Sequence, residues 1–197
     1  TNAGTLTNND TLLNAGTLAN AGMLTNNDTL LNAGTLTNSS TLTNAAAGTL
    51  ENYGTLNNDN YGTLDNVGTL DNYGTLTNDN GGMLTNTGTL DNEGTLTNTG
   101  TLANAGTLAN AAAGMLNNNN SLTNTGTLTN AGTLTNNGWL ANNDTLINNS
   151  ALQNDGVLVN ESGGVLTNAG TLTNSFAGLL TNQVGATLNN NGTLDND

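Results

Sequence analysis

The sequence contains no lysine, arginine, histidine, cysteine or proline, and aromatic residues make up only 3% of it. Each absence removes a class of function. Without Lys or Arg nothing can neutralise phosphates, so nucleic acid is not an expected partner. The net charge of −14 also repels an anionic membrane surface, and no apolar run is long enough for membrane insertion. Without His, Cys or Lys the usual catalytic bases and nucleophiles are missing, and without Arg so is the usual clamp for a charged substrate. The chain is therefore not expected to be an enzyme. No carboxylate can meet a side-chain cation of its own chain. No disulfide can form, so cysteine usage says nothing about redox compartment.

What remains is mostly asparagine, threonine, glycine and leucine. Low complexity of this kind can mean disorder. Here only 7% of residues are charged, and leucine recurs at a strict interval that a disordered tract has no reason to keep. From Gly4 onward the chain parses as G-T-L-x-N-x, as in Gly4–Asn9, Gly16–Ala21, Gly68–Tyr73 and Gly132–Asn137. Thirty consecutive units reach Asp197, and all 30 carry leucine third and asparagine fifth. Such internal repetition is the signature of a solenoid. Residues 1–197 form one repetitive segment. Its first residues, Thr1-Asn2-Ala3, read as the tail of a repeat and Asp195-Asn196-Asp197 as the close of one, the pattern expected of a segment within a longer protein.

Unit length identifies the backbone. Seven units have eight residues instead of six, beginning at Ser40, Gly54, Gly74, Gly106, Gly156, Gly170 and Gly178. Insertions come in twos and never singly. Strand side chains alternate with period 2, so a single inserted residue would turn every following leucine outward. A helix has no such parity rule. The unit therefore reads as a short strand, Thr-Leu-x, with leucine inward and its neighbours outward. Leu6, Leu12 and Leu18 open the expected core. Gly, Asp, Asn or Ser at the first position suits a corner, through turn conformations or positive φ. Asn8, Asn14 and Asn20 share the leucine's parity and are expected to point inward at the bend, bonded to backbone and to the asparagine of the next coil. A simpler reading makes them turn formers only.

Coil size follows from what recurs. Residues 7–18 reappear at 25–36, a shift of 18. Asp10, Asp28 and Asp144 start the second, fifth and twenty-third units, which share a face only if a coil has three sides. The fold expected is an all-β, parallel β-solenoid, three-sided, with about 18 residues per coil. Ten coils at ~4.8 Å each make a rod of roughly 48 Å.

Runs such as Gly-Thr-Leu-x-Asn-x-Gly, and Leu-Asp-Asn-x-Gly at Leu64–Gly68, Leu70–Gly74 and Leu90–Gly94, resemble the repeats of filamentous-haemagglutinin-like and autotransporter adhesins of bacteria. The resemblance covers the whole chain. It implies a right-handed parallel β-helix, export across the outer membrane to a secreted or cell-surface location, and a role in adhesion or matrix as a rod-like stalk or filament.

Several outward residues are candidates for contact. Met23, Met83, Trp139, Val157 and Leu179 replace the second-position threonine and fall on one face of a three-sided coil, a broken apolar row suited to lateral self-association. Open strand edges at the ends suit end-to-end association too. Tyr53, Tyr61 and Tyr73 precede glycines and read as a corner cluster that covers the coils or meets a host or surface glycan. Glu51, Asp71 and Asp91 fall on one face; a carboxylate pair can cleave a glycoside, but solvated surface charge is the plainer reading. No cofactor is implied. A weak surface calcium ion at Asp59-Asn60 and Asp79-Asn80 is the one metal expectation. The rival function is ice binding by outward Thr-Leu-Thr arrays, which occur at Thr5, Thr35, Thr41, Thr75, Thr95, Thr127, Thr133 and Thr171 and do not sort cleanly onto one face.

Overall fold

A computed structural model describes residues 1–197 as thirty strands of four residues each, wound into three parallel ten-stranded sheets. The first sheet stacks β1 (Thr5–Asn8), β4 (Met23–Asn26), β7 (Thr41–Asn44), β10 (Thr63–Asn66), β13 (Met83–Asn86), β16 (Thr101–Asn104), β19 (Ser121–Asn124), β22 (Trp139–Asn142), β25 (Val157–Asn160) and β28 (Leu179–Asn182). The second stacks β2 (Thr11–Asn14), β5 (Thr29–Asn32), β8 (Thr49–Asn52), β11 (Thr69–Asn72), β14 (Thr89–Asn92), β17 (Thr107–Asn110), β20 (Thr127–Asn130), β23 (Thr145–Asn148), β26 (Val165–Asn168) and β29 (Thr187–Asn190). The third stacks β3 (Thr17–Asn20), β6 (Thr35–Asn38), β9 (Thr55–Asn58), β12 (Thr75–Asn78), β15 (Thr95–Asn98), β18 (Met115–Asn118), β21 (Thr133–Asn136), β24 (Ala151–Asn154), β27 (Thr171–Asn174) and β30 (Thr193–Asn196). Each strand pairs with the strand three earlier and three later, so a coil has three sides.

Register holds along the whole rod, leucine on leucine and asparagine on asparagine, as in Leu6↔Leu24 and Asn8↔Asn26. The offset is 18 residues there, 20 at Leu64↔Leu84 and 22 at Leu42↔Leu64. The coil is thus 18 residues plus whatever insertions it carries. An insertion is absorbed as one turn closed by a backbone hydrogen bond between residues three apart, such as Gly48 N to Ala45 O at 2.7 Å and Gly82 N to Asp79 O at 2.8 Å. These turns fall at all three corners, after β7, β9, β12, β17, β25, β27 and β28.

The core is a single column of leucine. Twenty-four leucines, from Leu24 to Leu172, form one buried cluster, and Leu6, Leu12 and Leu18 pack against its end partly buried. Beside the leucines run three columns of asparagine. Every fifth-position asparagine from Asn20 to Asn168 is at most 1% exposed. Asn44 shows the pattern: its amide donates to Asn66 Oδ1 at 2.8 Å, to Thr69 O at 2.7 Å and to Gly48 O at 3.1 Å, while its own Oδ1 accepts from Asn26 at 2.8 Å. No buried side-chain N or O is left without a partner, which removes the penalty that makes buried amides costly.

Two local expectations need correction. The strand is not Thr-Leu-x; it includes the asparagine, because the inward amide continues the leucine's alternation and the bend begins only after it. The first-position glycines do not serve for positive φ. The left-handed residues are Tyr61 (φ 69°), Gly81, Gly163 and Gly185, all at the ends of insertions. A unit-starting glycine such as Gly74 is there for space: a Cβ would overlap the carbonyl oxygen of Gly54 in the coil below.

Candidate functional site

With the interior filled, function must reside on three outward faces and three corners. In each strand the first and third residues point outward, and the choice of those residues distinguishes the faces.

The first sheet carries the apolar row. Met23, Met83, Trp139, Val157 and Leu179 begin β4, β13, β22, β25 and β28 and therefore stand in one line. Met23, Met83, Trp139 and Leu179 are 46–54% exposed. Trp139, Val157 and Leu179 are direct neighbours in the ladder. Beside them Ala141 and Val159 are buried although they face outward. The other two large apolar residues at this strand position, Met115 and Val165, lie on the third and second sheets.

The second sheet carries the acidic ladder. Asp71 stands directly between Glu51 and Asp91. Like charges stacked at one strand spacing are unfavourable. The Asp71 carboxyl is pushed above its ordinary range, first by burial, then by Asp91, Glu51 and Glu93. At the adjoining corner Tyr53 and Tyr73 stack ring on ring, with centroids 4.7 Å apart and planes 14° from parallel. The Asp71 carboxylate is the leading cause that raises the Tyr73 phenol above its usual value. Glu93 holds the equivalent corner position in the next coil. It was not singled out from sequence, although its position, just after the fifth-position asparagine as in Tyr53 and Tyr73, places it there. Tyr61 does not join this group. It sits in the insertion after β9, at the corner between the third and first sheets, while Tyr53 and Tyr73 lie between the second and third.

Asp59 and Asp79 occupy insertions on neighbouring coils, after β9 and β12. Asp59 accepts from the Asn60 backbone N at 2.9 Å and from Ser39 Oγ at 3.3 Å. No group of three acidic side chains comes together to hold a metal there or elsewhere.

The third sheet carries threonine. Of the eight Thr-Leu-Thr strands five belong to it: β6, β12, β15, β21 and β27. The other three lie on the first sheet (β1, β7) and the second (β20), so the array is not confined to one face. It is interrupted by Asn57, Met115, Asn117, Ala151 and Gln153. Outside the strands, asparagines also stack at corners: Asn27 donates to Asn9 and Asn137 to Asn119, both at 2.8 Å.

An unbroken leucine column, amide ladders on every side and freely varied outward residues define a three-sided parallel repeat β-solenoid. The chain belongs to the haemagglutinin repeat family, whose model matches residues 1–94, 92–138, 129–176 and 176–197. This is a structural, adhesin-like family, typically extracellular or cell-surface. The chain matches no curated protein.

Proposed function

We propose that this chain is a rod-like spacer in a secreted or cell-surface bacterial adhesin, holding other parts of its parent at a distance. One observation carries this reading. Seven insertions and a wide range of outward residues leave the leucine and asparagine register unbroken across ten coils. What is kept uniform is length and continuity, and what varies is the surface. The Tyr53–Tyr73 corner would be a secondary contact for a surface glycan.

The test is in-frame removal of whole coils from the parent protein, for example residues 82–99, which spans three units. Attachment should persist, and its height above the surface by atomic force microscopy should fall by ~4.8 Å per coil removed. Loss of attachment on changing outward residues alone, with height unaltered, would refute a spacer role.

Ice binding is the second reading, and the threonine-rich third sheet favours it. An ice-binding face needs the same hydroxyl spacing coil after coil. Met115, Ala151 and Gln153 break that spacing. The purified segment is expected to show no thermal hysteresis. Faceted ice crystals, lost on replacing Thr75, Thr77, Thr95 and Thr97, would reverse this conclusion.

A further inference from the structure

The first sheet differs from the second in charge and from the third in its apolar row. The chain has 14 acidic residues. Of these only Asp65 occupies an outward strand position on this sheet. The third sheet is equally sparing, with Asp195 alone, whereas the second carries Glu51, Asp71 and Asp91. Of the two faces low in charge, only the first also carries a row of large apolar side chains.

Its pattern specifies how. Met23, Met83 and Trp139 fall on every third rung of the sheet, at β4, β13 and β22, so they are spaced by ~14 Å at one rung per ~4.8 Å. The spacing is symmetric about Met83. A two-fold axis through Met83, in the plane of contact and along the strand direction, lays an antiparallel copy face to face. Met83 then meets its own equivalent, Met23 meets Trp139 of the second copy, and Asp65 lies opposite Ala103 of the second copy. The parallel arrangement is poorer. A two-fold axis along the rod reverses strand direction and sets the apolar row against the threonine-rich third-position row.

We propose that the β1-to-β25 stretch of this face is an isologous interface through which two copies of this chain pair antiparallel about Met83, with β28 and Leu179 beyond the overlap. Nine rungs overlap. A strip of roughly 43 Å by 13 Å is about 550 Å² per copy and about 1,100 Å² in all, which clears the ~1,000 Å² expected of a specific contact. The symmetry closes, so the product is a dimer and not an open fibre. This pairing would bundle spacers side by side. It goes beyond the spacer reading and does not depend on it.

The absence of native cysteine and the single tryptophan make the test direct. Dimers should appear by light scattering at roughly 10–100 μM, the weak end for an interface of this size. Added salt should strengthen them by screening the shared negative charge, and Trp139 emission should shift to the blue as they form. A short bismaleimide should link M83C to itself. It should link T41C to S121C only when the two are mixed, because those rungs face each other. M83K should weaken the dimer at least tenfold, while T95K, on the third sheet with the same charge change, leaves it intact. A monomer at high salt, or self-linking of T41C alone at the M83C level, would overturn the proposal. Circular dichroism of each variant separates loss of pairing from loss of fold.

Discussion

Asn66 and Asp65 are adjacent in sequence and opposite in direction, so they isolate what the inward amide contributes. Asn66 is fully buried. Its amide donates to Asn86 Oδ1 and Thr89 O, both at 2.7 Å, and its Oδ1 accepts from Asn44 at 2.8 Å. In Asn66→Ala, Asn44 keeps two other acceptors, Gly48 O and Thr69 O. Asn86 Oδ1 loses its donor in a site closed to water. An orphaned buried acceptor costs ~1–3 kcal/mol, and the small void left by the amide adds roughly 1 kcal/mol. Asn66→Ala should therefore lose about 3 kcal/mol. Asp65 points outward between Thr43 and Thr85, and Asp65→Ala should stay within about 0.5 kcal/mol of the parent. Chemical denaturation followed by circular dichroism measures both. Because a solenoid couples each coil mainly to its neighbours, hydrogen exchange in Asn66→Ala should rise first in the coils holding Asn44, Asn66 and Asn86. Equal stability losses for the two variants would refute the inward ladder as a source of stability.

Other outcomes follow from the same geometry. Leu96→Ala, in the middle of the buried column, should cost ~2–5 kcal/mol by the same denaturation assay. Asp71 has its pKa raised in the folded chain, so the folded state holds its proton more tightly than the unfolded one. Stability should then fall as pH rises from the ordinary carboxyl pKa through the raised value, and Asp71→Asn should flatten that part of a melting-temperature profile. Tyr61 takes a left-handed φ of 69° while exposing 81% of its surface. Tyr61→Gly should raise stability by roughly 0.5–1 kcal/mol, since the αL strain exceeds the extra freedom of glycine in the unfolded chain; no rise in melting temperature would count against that turn. One alanine inserted after Asn110 should unfold the following coils, whereas two should be tolerated, as read by protease resistance.

The strand, its direction and the three-sided coil were legible because each rests on counting. Even-numbered insertions fix parity, and Asp10, Asp28 and Asp144 fix the number of sides. The asparagine ladder was legible because Asn8 and its equivalents share leucine's parity. Counting fails inside insertions, where backbone conformation and not parity places the side chain. That is why Tyr61 appeared to belong with Tyr53 and Tyr73 although it occupies another corner. The reason for Gly74 was hidden as well. Glycine permits both unusual φ and close approach, and only the neighbouring coil's carbonyl distinguishes them. The one-face placement of Glu51, Asp71 and Asp91 was legible by the same count, but the partial burial of Asp71 and the approach of Glu93 depend on coil-to-coil distance, which residue spacing does not supply.

The asparagine columns also give the rod an electrical direction. Along each column every amide hands its hydrogen toward the C-terminal coil, as Asn26 does to Asn44, Asn44 to Asn66 and Asn66 to Asn86. The amide dipoles therefore align head to tail in three parallel files, and each polarises the next. One end of any such array offers N–H groups and the other offers oxygens. A coil joining the rod can complete the ladder only in the same orientation. The two ends are unlike templates, and chain emerging from one side would be accepted in one sense alone, so that head-to-head joining is refused by hydrogen-bond polarity before any side chain on the surface is consulted.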